Sequence, residues 1–171
     1  MTWKQAILYI FIGIFILALI ATQSGQTDGK VLSYTSTDDT MCLAKNIYFE
    51  ARSESTAGRI AVAWTVINRV RHDRFPDSIC AVVKQGLRHE NGFPKRNKCQ
   101  FSWYCDGQPD IIRNVHEWRD AYRLASYVST GRDHLVDITD GSLWYHADYV
   151  FPRWAKHKRK TAKIDRHIFY R

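Results

Sequence analysis

Residues 57–71 read AGRIAVAWTVINRVR, and their apolar side chains cover most of the circumference of a helical wheel. These side chains belong to Ile60, Val62, Ala63, Trp64, Val66, Ile67 and Val70. A helix that is apolar on nearly every side has to be buried, because only a protein interior can cover all of its faces. The stretch therefore predicts a globular fold with this helix at the centre of its core.

The segment just before it, NIYFEARSE, raises a question of chemistry. The acidic cap DDT predicts that another helix begins there. Leu43 and Ile47 define the apolar stripe of that helix, and Glu50 and Glu54 continue the same stripe. Two carboxylates are therefore expected on the side of a helix that faces the core.

Helical and extended patterns follow one another after residue 71. Ser78 is the expected cap of a short helix through ICAVVKQ, residues 86–110 are expected as a long loop or irregular hairpin, and another helix is expected at 111–129. The inward side of that last helix is predicted to hold Val115, Trp118, Tyr122, Ala125 and Val128. Two extended segments, DGSLWYHADYVF and AKIDRHIFYR, lie on either side of the basic stretch RWAKHKRK. The predicted fold class is α+β, mainly helical with a small β-sheet.

The amino-terminal residues carry a membrane-targeting pattern. Residues 6–21 form an apolar run of about 16 residues, between the usual length of a signal h-region and that of a relaxed membrane span. Its richness in Ile and Phe favours a retained anchor with the amino terminus in the cytoplasm; a cleaved signal ending near Thr22-Gln23-Ser24 and a buried helix are the alternatives. We therefore divide the chain into an anchor or signal at 1–24, a linker at 25–39 and one exported domain at 40–171.

Export makes the cysteines candidates for disulfides, which are stable outside the cytoplasm. Four cysteines allow three pairings. The simplest pairing joins Cys99 with Cys105 across a short aromatic loop and leaves Cys42 with Cys80. A zinc site is the rival interpretation, but the spacing is not C-x2-C and no histidine pair accompanies it.

Several function classes find no support in the sequence. The formal net charge of +8 would fit nucleic acid, but an exported domain meets anionic lipid and cell-wall polymer instead. His89-Glu90 and His116-Glu117 both lack the second histidine of an H-E-x-x-H zinc site, and there is no G-x-S-x-G for a serine nucleophile. We therefore expect neither a metal nor another cofactor.

The Glu50 carboxyl group is the candidate catalytic group. Beside apolar neighbours a carboxyl group is poorly solvated, which raises its pKa and suits it to act as a general acid. The alternative is a solvated Glu50 that pairs with Arg52 or Lys45 at the surface. Aromatic and hydrogen-bonding side chains in two short runs suit a saccharide groove, although such rings can equally fill a core; the candidate binding residues are Gln100, Phe101, Ser102, Trp103, Tyr145 and His146.

Six motifs resemble, in order, those of the SleB-type cell-wall hydrolases, the family that includes spore-cortex-lytic enzymes. The motifs are CLAKNIYFEARSE, AVAWTVINRV, FPDSICAVV, CQFSWYCDG, WYHADYVFPRWA and KIDRHIFYR, and they cover about residues 40–171. The resemblance implies a lysozyme-like fold and cleavage of the β-1,4 bond between N-acetylmuramic acid and N-acetylglucosamine in peptidoglycan. It also implies lytic transglycosylase chemistry, which leaves a 1,6-anhydro end.

The family motif Y-x-E-A-R-G-E matches YFEARSE here, with Ser53 in place of the usual glycine. The resemblance thus gives Glu50 the role of acid and base, and Glu54 a supporting role. The protein is then expected as a monomer that binds peptidoglycan strands, either anchored in the inner membrane and facing the periplasm or secreted to the cell wall, in a bacterium or as a phage endolysin. An N-acetylmuramoyl-L-alanine amidase and a non-catalytic murein-binding protein remain the alternatives.

Overall fold

The computed structural model describes residues 37–130 and 136–171. Three α-helices come first, a strand pair and a fourth α-helix follow, and three strands lie near the carboxyl end, with two short 3-10 helices at Ser102–Cys105 and Arg153–His157. The α-helices are α1 Thr37–Ala51, α2 Thr56–Arg71, α3 Ile79–Val83 and α4 Val115–Thr130. The strands are β1 Gly86–Arg88, β2 Pro94–Cys99, β3 Trp144–Ala147, β4 Lys160–Ile164 and β5 His167–Tyr170.

The core is built around α1 and α2, as the apolar pattern predicts. Ser55 caps α2, because its hydroxyl accepts a hydrogen bond from the backbone N–H of Gly58. Ser78 caps α3 in the same way through the N–H of Ala81. Both helices place apolar side chains in one cluster together with residues of α1 and α4, and the fully buried Tyr48 is among the largest of them.

Two small antiparallel sheets flank the helices. Strands β1 and β2 form a hairpin, which matches the irregular hairpin expected for residues 86–110. Strands β3, β4 and β5 form a three-stranded sheet in the order β3-β5-β4, so that β5 lies at its centre. In that sheet Tyr145 of β3 lies opposite Phe169 of β5.

The turn between β4 and β5 is fastened to the junction between α1 and α2. The Asp165 carboxylate accepts hydrogen bonds from the backbone N–H of Ser55 at 2.9 Å and from its hydroxyl at 2.7 Å. A Cβ atom at position 58 would collide with the same carboxylate, so the close approach requires Gly58. The Arg166 guanidinium donates two hydrogen bonds to one oxygen of the Glu54 carboxylate, at 2.9 and 2.7 Å.

Two disulfides clip the fold, Cys42–Cys80 and Cys99–Cys105. This is the simplest of the three pairings that the sequence allows, and the rival zinc site is excluded because no cysteine is free. The first bond joins α1 to α3. The second closes the loop that follows β2.

The fourth helix departs from its prediction in two respects. It begins at Val115 rather than at residue 111, because the Tyr48 hydroxyl binds the N–H groups of Arg113 and Asn114 outside the helix. The Asn114 side chain then accepts the N–H of Glu117 as a cap. Val115 and Tyr122, both predicted to face inward, are instead 63% and 36% exposed.

The predicted anchor or signal at 1–24 and most of the linker at 25–39 lie outside the described residues. Within 37–130 and 136–171, no helix has the length and apolar character needed to cross a membrane.

Candidate active site

Glu50 lies in the last turn of α1, where the helix faces β3. The Tyr145 hydroxyl donates a hydrogen bond to Glu50 Oε2 at 2.9 Å. The two residues are 95 positions apart in the chain, so the contact depends on the docking of the carboxyl-terminal sheet onto α1. Tyr145 is held in turn between the rings of His167 and Phe169 of the neighbouring strand. The alternative of a solvated Glu50 paired with Arg52 or Lys45 finds no such contact in the structure.

A buried arginine, Arg69 of α2, completes the surroundings of Glu50. Arg69 is 4% exposed, and its Nε donates to the Leu143 carbonyl at 2.7 Å. Its guanidinium lies over the rings of Phe75 and Phe101, at 5.4 and 5.1 Å from their centroids. Its Nη1 is buried without a hydrogen-bond partner. The Arg69 Nη1 group can therefore donate a hydrogen bond to a negative charge that develops nearby.

Burial shifts the protonation equilibrium of Glu50 towards the neutral acid. Burial raises the pKa of Glu50 above the ordinary 4.5, although the Tyr145 hydrogen bond and the Arg69 charge both act to lower it. Burial, followed by the Glu50 charge, raises the pKa of Tyr145 well above 10.0, so this hydroxyl stays protonated and donates throughout. A carboxyl group with a raised pKa can give up a proton near neutral pH and take one back.

Glu50 opens onto a cleft of about 580 Å³. All six residues predicted to bind substrate line this cleft: Gln100, Phe101, Ser102, Trp103, Tyr145 and His146. The structure thus brings both aromatic runs of the sequence to one place, next to the candidate acid. The exposed Tyr149 and the half-buried Asp106 complete the rim.

The six lining residues are not equivalent. Gln100 and Ser102 expose their side chains and can reach a ligand directly. Phe101 is fully buried beneath the Arg69 guanidinium and shapes the floor of the cleft. The Trp103 indole stacks on Phe49 at 4.9 Å between centroids, and its N–H donates to Asn46.

His146 has both ring nitrogens engaged within the protein. Its Nδ1 lies 2.9 Å from the Ala147 carbonyl oxygen and its Nε2 lies 2.9 Å from the Tyr170 hydroxyl. The ring also stacks on that of Tyr170. A ligand in the cleft therefore meets a histidine whose position is fixed rather than one with a free nitrogen.

Glu54 lies apart from the cleft, and the prediction that it continues the helical stripe of Glu50 is wrong, because α1 ends at Ala51 and Glu54 follows in the turn before α2. Its side chain is almost fully buried and holds Arg166 of the β4–β5 turn. Its contacts fasten the end of α1 to the sheet that delivers Tyr145. Ser53, which replaces the family's usual glycine, is absent from the positive-φ residues of the described chain, so the serine causes no backbone strain there.

Sequence reasoning missed Arg69. The sequence indicates it only as a single arginine within the apolar run of α2. Burying a charge raises the free energy of the folded state unless the charge is paired or hydrogen-bonded. Among residues 37–130 and 136–171, no group of three or more metal-ligating side chains lies together.

A family model described as Cell Wall Hydrolase matches residues 53–170. The spore cortex-lytic enzyme of Bacillus subtilis (strain 168) is 26% identical over 141 residues, and that of Halalkalibacterium halodurans is 27% identical over 134 residues. Each alignment covers 78% of this chain but only 38% and 35% of the two relatives. The chain thus spans little more than a third of the length of these two curated relatives.

Two solved structures share the fold. The catalytic domain of the Bacillus cereus SleB protein superposes with a TM-score of 0.61 at 26% identity, covering 86% of this chain and 99% of that chain. The catalytic domain of the germination-specific lytic transglycosylase SleB from Bacillus anthracis gives 0.57 at 25% identity, covering 80% and 97%. These likenesses confirm the predicted fold class and the resemblance read from the six motifs. Because the family model also spans well over half of the sequence, this chain belongs to the Cell Wall Hydrolase family.

Proposed function

We propose that the protein is a peptidoglycan lytic transglycosylase that cleaves the β-1,4 bond between N-acetylmuramic acid and N-acetylglucosamine. The observation that carries the proposal is the Glu50 carboxyl group, which has a raised pKa, holds a hydrogen bond from Tyr145 and opens onto a cleft lined by rings and hydrogen-bonding groups. The Bacillus anthracis relative described as a lytic transglycosylase supports the same activity.

In this mechanism Glu50 acts twice. The neutral carboxyl group first gives its proton to the glycosidic oxygen, and the N-acetylglucosamine end leaves while positive charge develops at C1 of the muramic residue. The Glu50 carboxylate then takes the proton of the C6 hydroxyl of that muramic residue, whose oxygen attacks C1. A 1,6-anhydro bond forms, no water is consumed and Glu50 regains its proton.

Tyr145 and Arg69 stabilise the charged stage of this cycle. A hydroxyl that always donates strengthens its hydrogen bond when Glu50 becomes a carboxylate. The Arg69 charge acts on the same carboxylate from the opposite element, α2, and the low-polarity surroundings strengthen that attraction. Burial favours the protonated form of Glu50, and Tyr145 and Arg69 favour its carboxylate, so both protonation states stay accessible.

The proposed location is outside the cytoplasm, where peptidoglycan and stable disulfides both occur. We propose that residues 1–24 anchor the domain in the inner membrane facing the periplasm, or direct its secretion, and that the protein acts as a monomer. A phage endolysin and a bacterial remodelling enzyme both fit this placement. The apolar run at 6–21 supports the targeting role, and the two disulfides support an oxidising compartment.

Digestion of purified, insoluble peptidoglycan by the full-length protein tests the proposal. Mass spectrometry of the soluble products should show anhydromuropeptides with the wild type and none with Glu50→Gln. Glu90→Gln serves as the matched control, because Glu90 is exposed on the β1–β2 hairpin. Muropeptides with reducing ends would show that the enzyme is a hydrolase and not a transglycosylase. Release of free stem peptides that a chelator prevents would indicate the amidase. Binding to peptidoglycan without any release would indicate the non-catalytic murein-binding protein.

A further inference from the structure

A second pocket, of about 560 Å³, adjoins the Glu50 cleft. The two share Phe49, Trp103 and Asp106, and the stacked rings of Phe49 and Trp103 form the ridge between them. The remaining charged residues of this pocket are Arg52, Arg113 and Asp110. We call it the side pocket.

The charged residues that line the side pocket form no ion pairs with one another, although the Asp106 carboxylate accepts the backbone N–H of Gln108. Arg52, Arg113, Asp106 and Asp110 take part in none of the ion pairs found within residues 37–130 and 136–171. Two arginines and two aspartates therefore line one pocket without forming ion pairs with each other. Such an arrangement suits a ligand that carries both an anionic and a cationic group.

The two acids also act on each other. Burial, with a contribution from the Asp106 charge, raises the pKa of Asp110, while Lys45 acts in the opposite direction. A cation from a ligand would relieve that repulsion. The Arg52 guanidinium meanwhile lies over the Tyr48 ring at 5.3 Å from its centroid, which keeps it at the edge of the pocket.

The substrate of the proposed reaction offers a group of the required chemistry close by. Each muramic residue carries a peptide arm on its lactyl group, and that arm contains free carboxylates and, at its diamino acid, a free ammonium group. The arm branches from the sugar ring, so a muramic residue bound beside Glu50 carries it next to the walls of the cleft. The side pocket begins within the wall of the cleft itself.

We propose that the side pocket binds the stem peptide of the muramic residue being cleaved, with Arg52 and Arg113 facing its carboxylates and Asp106 and Asp110 facing its ammonium group. The inference rests on the proposed function for the identity of the substrate. It goes further, because it makes the protein selective for peptide-bearing glycan strands over strands without peptides.

Binding of a stem tripeptide that ends in a diamino acid, and whose amino terminus is acylated as it is by the lactyl group in the glycan, tests the inference apart from catalysis. The full-length Glu50→Gln protein is titrated with the peptide by NMR or calorimetry, and with two modified peptides in which the amine is acetylated or the carboxylates are amidated. Asp110→Asn and Arg113→Gln should each weaken binding of the unmodified peptide about two- to fivefold, the range expected for exposed charge pairs. Arg123→Gln, on the exposed face of α4, should leave binding unchanged.

The modified peptides assign each contact. Acetylation of the amine should abolish the effect of Asp110→Asn, because the modification and the substitution remove the same ammonium–carboxylate pair. Amidation of the carboxylates should likewise abolish the effect of Arg113→Gln, because both remove the same carboxylate–guanidinium pair. The inference is overturned if the tripeptide does not bind, or if the side-pocket variants bind it as well as Arg123→Gln does.

The activity of the wild type separates this inference from the proposed function. Peptide-stripped glycan should be cleaved with a higher KM than peptide-bearing glycan, and Arg113→Gln should reduce that difference. Equal cleavage of both glycans would refute the selectivity and leave the transglycosylase intact. Peptide binding without any cleavage would refute the transglycosylase and leave the side pocket as a binding site.

Discussion

Replacement of Tyr145 by phenylalanine removes one hydrogen bond and leaves the ring packed between His167 and Phe169. The lost bond is the 2.9 Å contact to Glu50 Oε2, and it favours the ionised carboxylate. A hydrogen bond to a charged group contributes about 1.5–3 kcal/mol. Since about 1.4 kcal/mol is a tenfold change in rate, kcat should fall by about ten- to a hundredfold, with KM little changed.

The pH profile gives the decisive readout. Without the Tyr145 hydroxyl the pKa of Glu50 rises further, so the carboxyl group stays protonated to higher pH. The alkaline limb of the profile, where the general acid becomes ionised, should therefore move to higher pH while the maximum rate falls. Release of soluble product from peptidoglycan over a range of about pH 4 to 9 measures both quantities.

Tyr127→Phe is the matched control, because Tyr127 lies on α4 and its exposed hydroxyl has no contact with the cleft. It should reproduce the wild-type profile. An alkaline limb in Tyr145→Phe that stays in place or moves to lower pH would refute the role given to this hydrogen bond. A normal kcat would refute the stabilisation of the charged stage.

Two further predictions concern stability. Between pH 4.5 and its raised folded pKa, Glu50 binds more protons in the folded than in the unfolded chain, so its burial lowers stability as the pH rises through that window. Glu50→Gln should therefore raise Tm at neutral pH and lose the gain below about pH 4, which calorimetry at several pH values will show; an equal gain at all pH values would contradict this cause. Loss of the Cys42–Cys80 bond, which spans 38 residues, should lower the free energy of unfolding by about 4 kcal/mol, against about 2 kcal/mol for the short Cys99–Cys105 loop. Loss of the Cys99–Cys105 bond should strongly lower activity, because that loop lines the cleft, whereas loss of the Cys42–Cys80 bond should not. Denaturant unfolding and product release are measured for both variants, and an equal loss of activity in the two would contradict the prediction.

The elements that the sequence predicts best are those with local signals. Ser78 is predicted to cap a short helix and does so, and Ser55, which is not singled out as a cap, caps α2 in the same way. The boundary at Val115 could not be predicted, because it depends on a hydroxyl from Tyr48, far away in the chain. Local patterns therefore define elements, and contacts between distant segments adjust their ends.

The candidate site shows the same division. The apolar stripe leads to Glu50, and the aromatic runs lead to residues that all line the cleft. The sequence holds no local sign that Tyr145 and Glu50 touch, because the contact spans 95 positions. Arg69 could be noticed only as a charge in an apolar helix. Its burial, its cation–π contacts and its place in the lining of the cleft are visible only in the structure.

The order of strands in the carboxyl-terminal sheet has a consequence in time. Both β3 and β4 pair with β5 and not with each other, and β5 is made after them. A growing chain therefore holds α1, with Glu50, long before the strand exists that fixes Tyr145 against it. We expect the nascent polypeptide to contain Glu50 before the Tyr145 hydroxyl is in place to donate a hydrogen bond to it. The proposed activity should therefore appear only after β5 has been synthesised and has paired with β3.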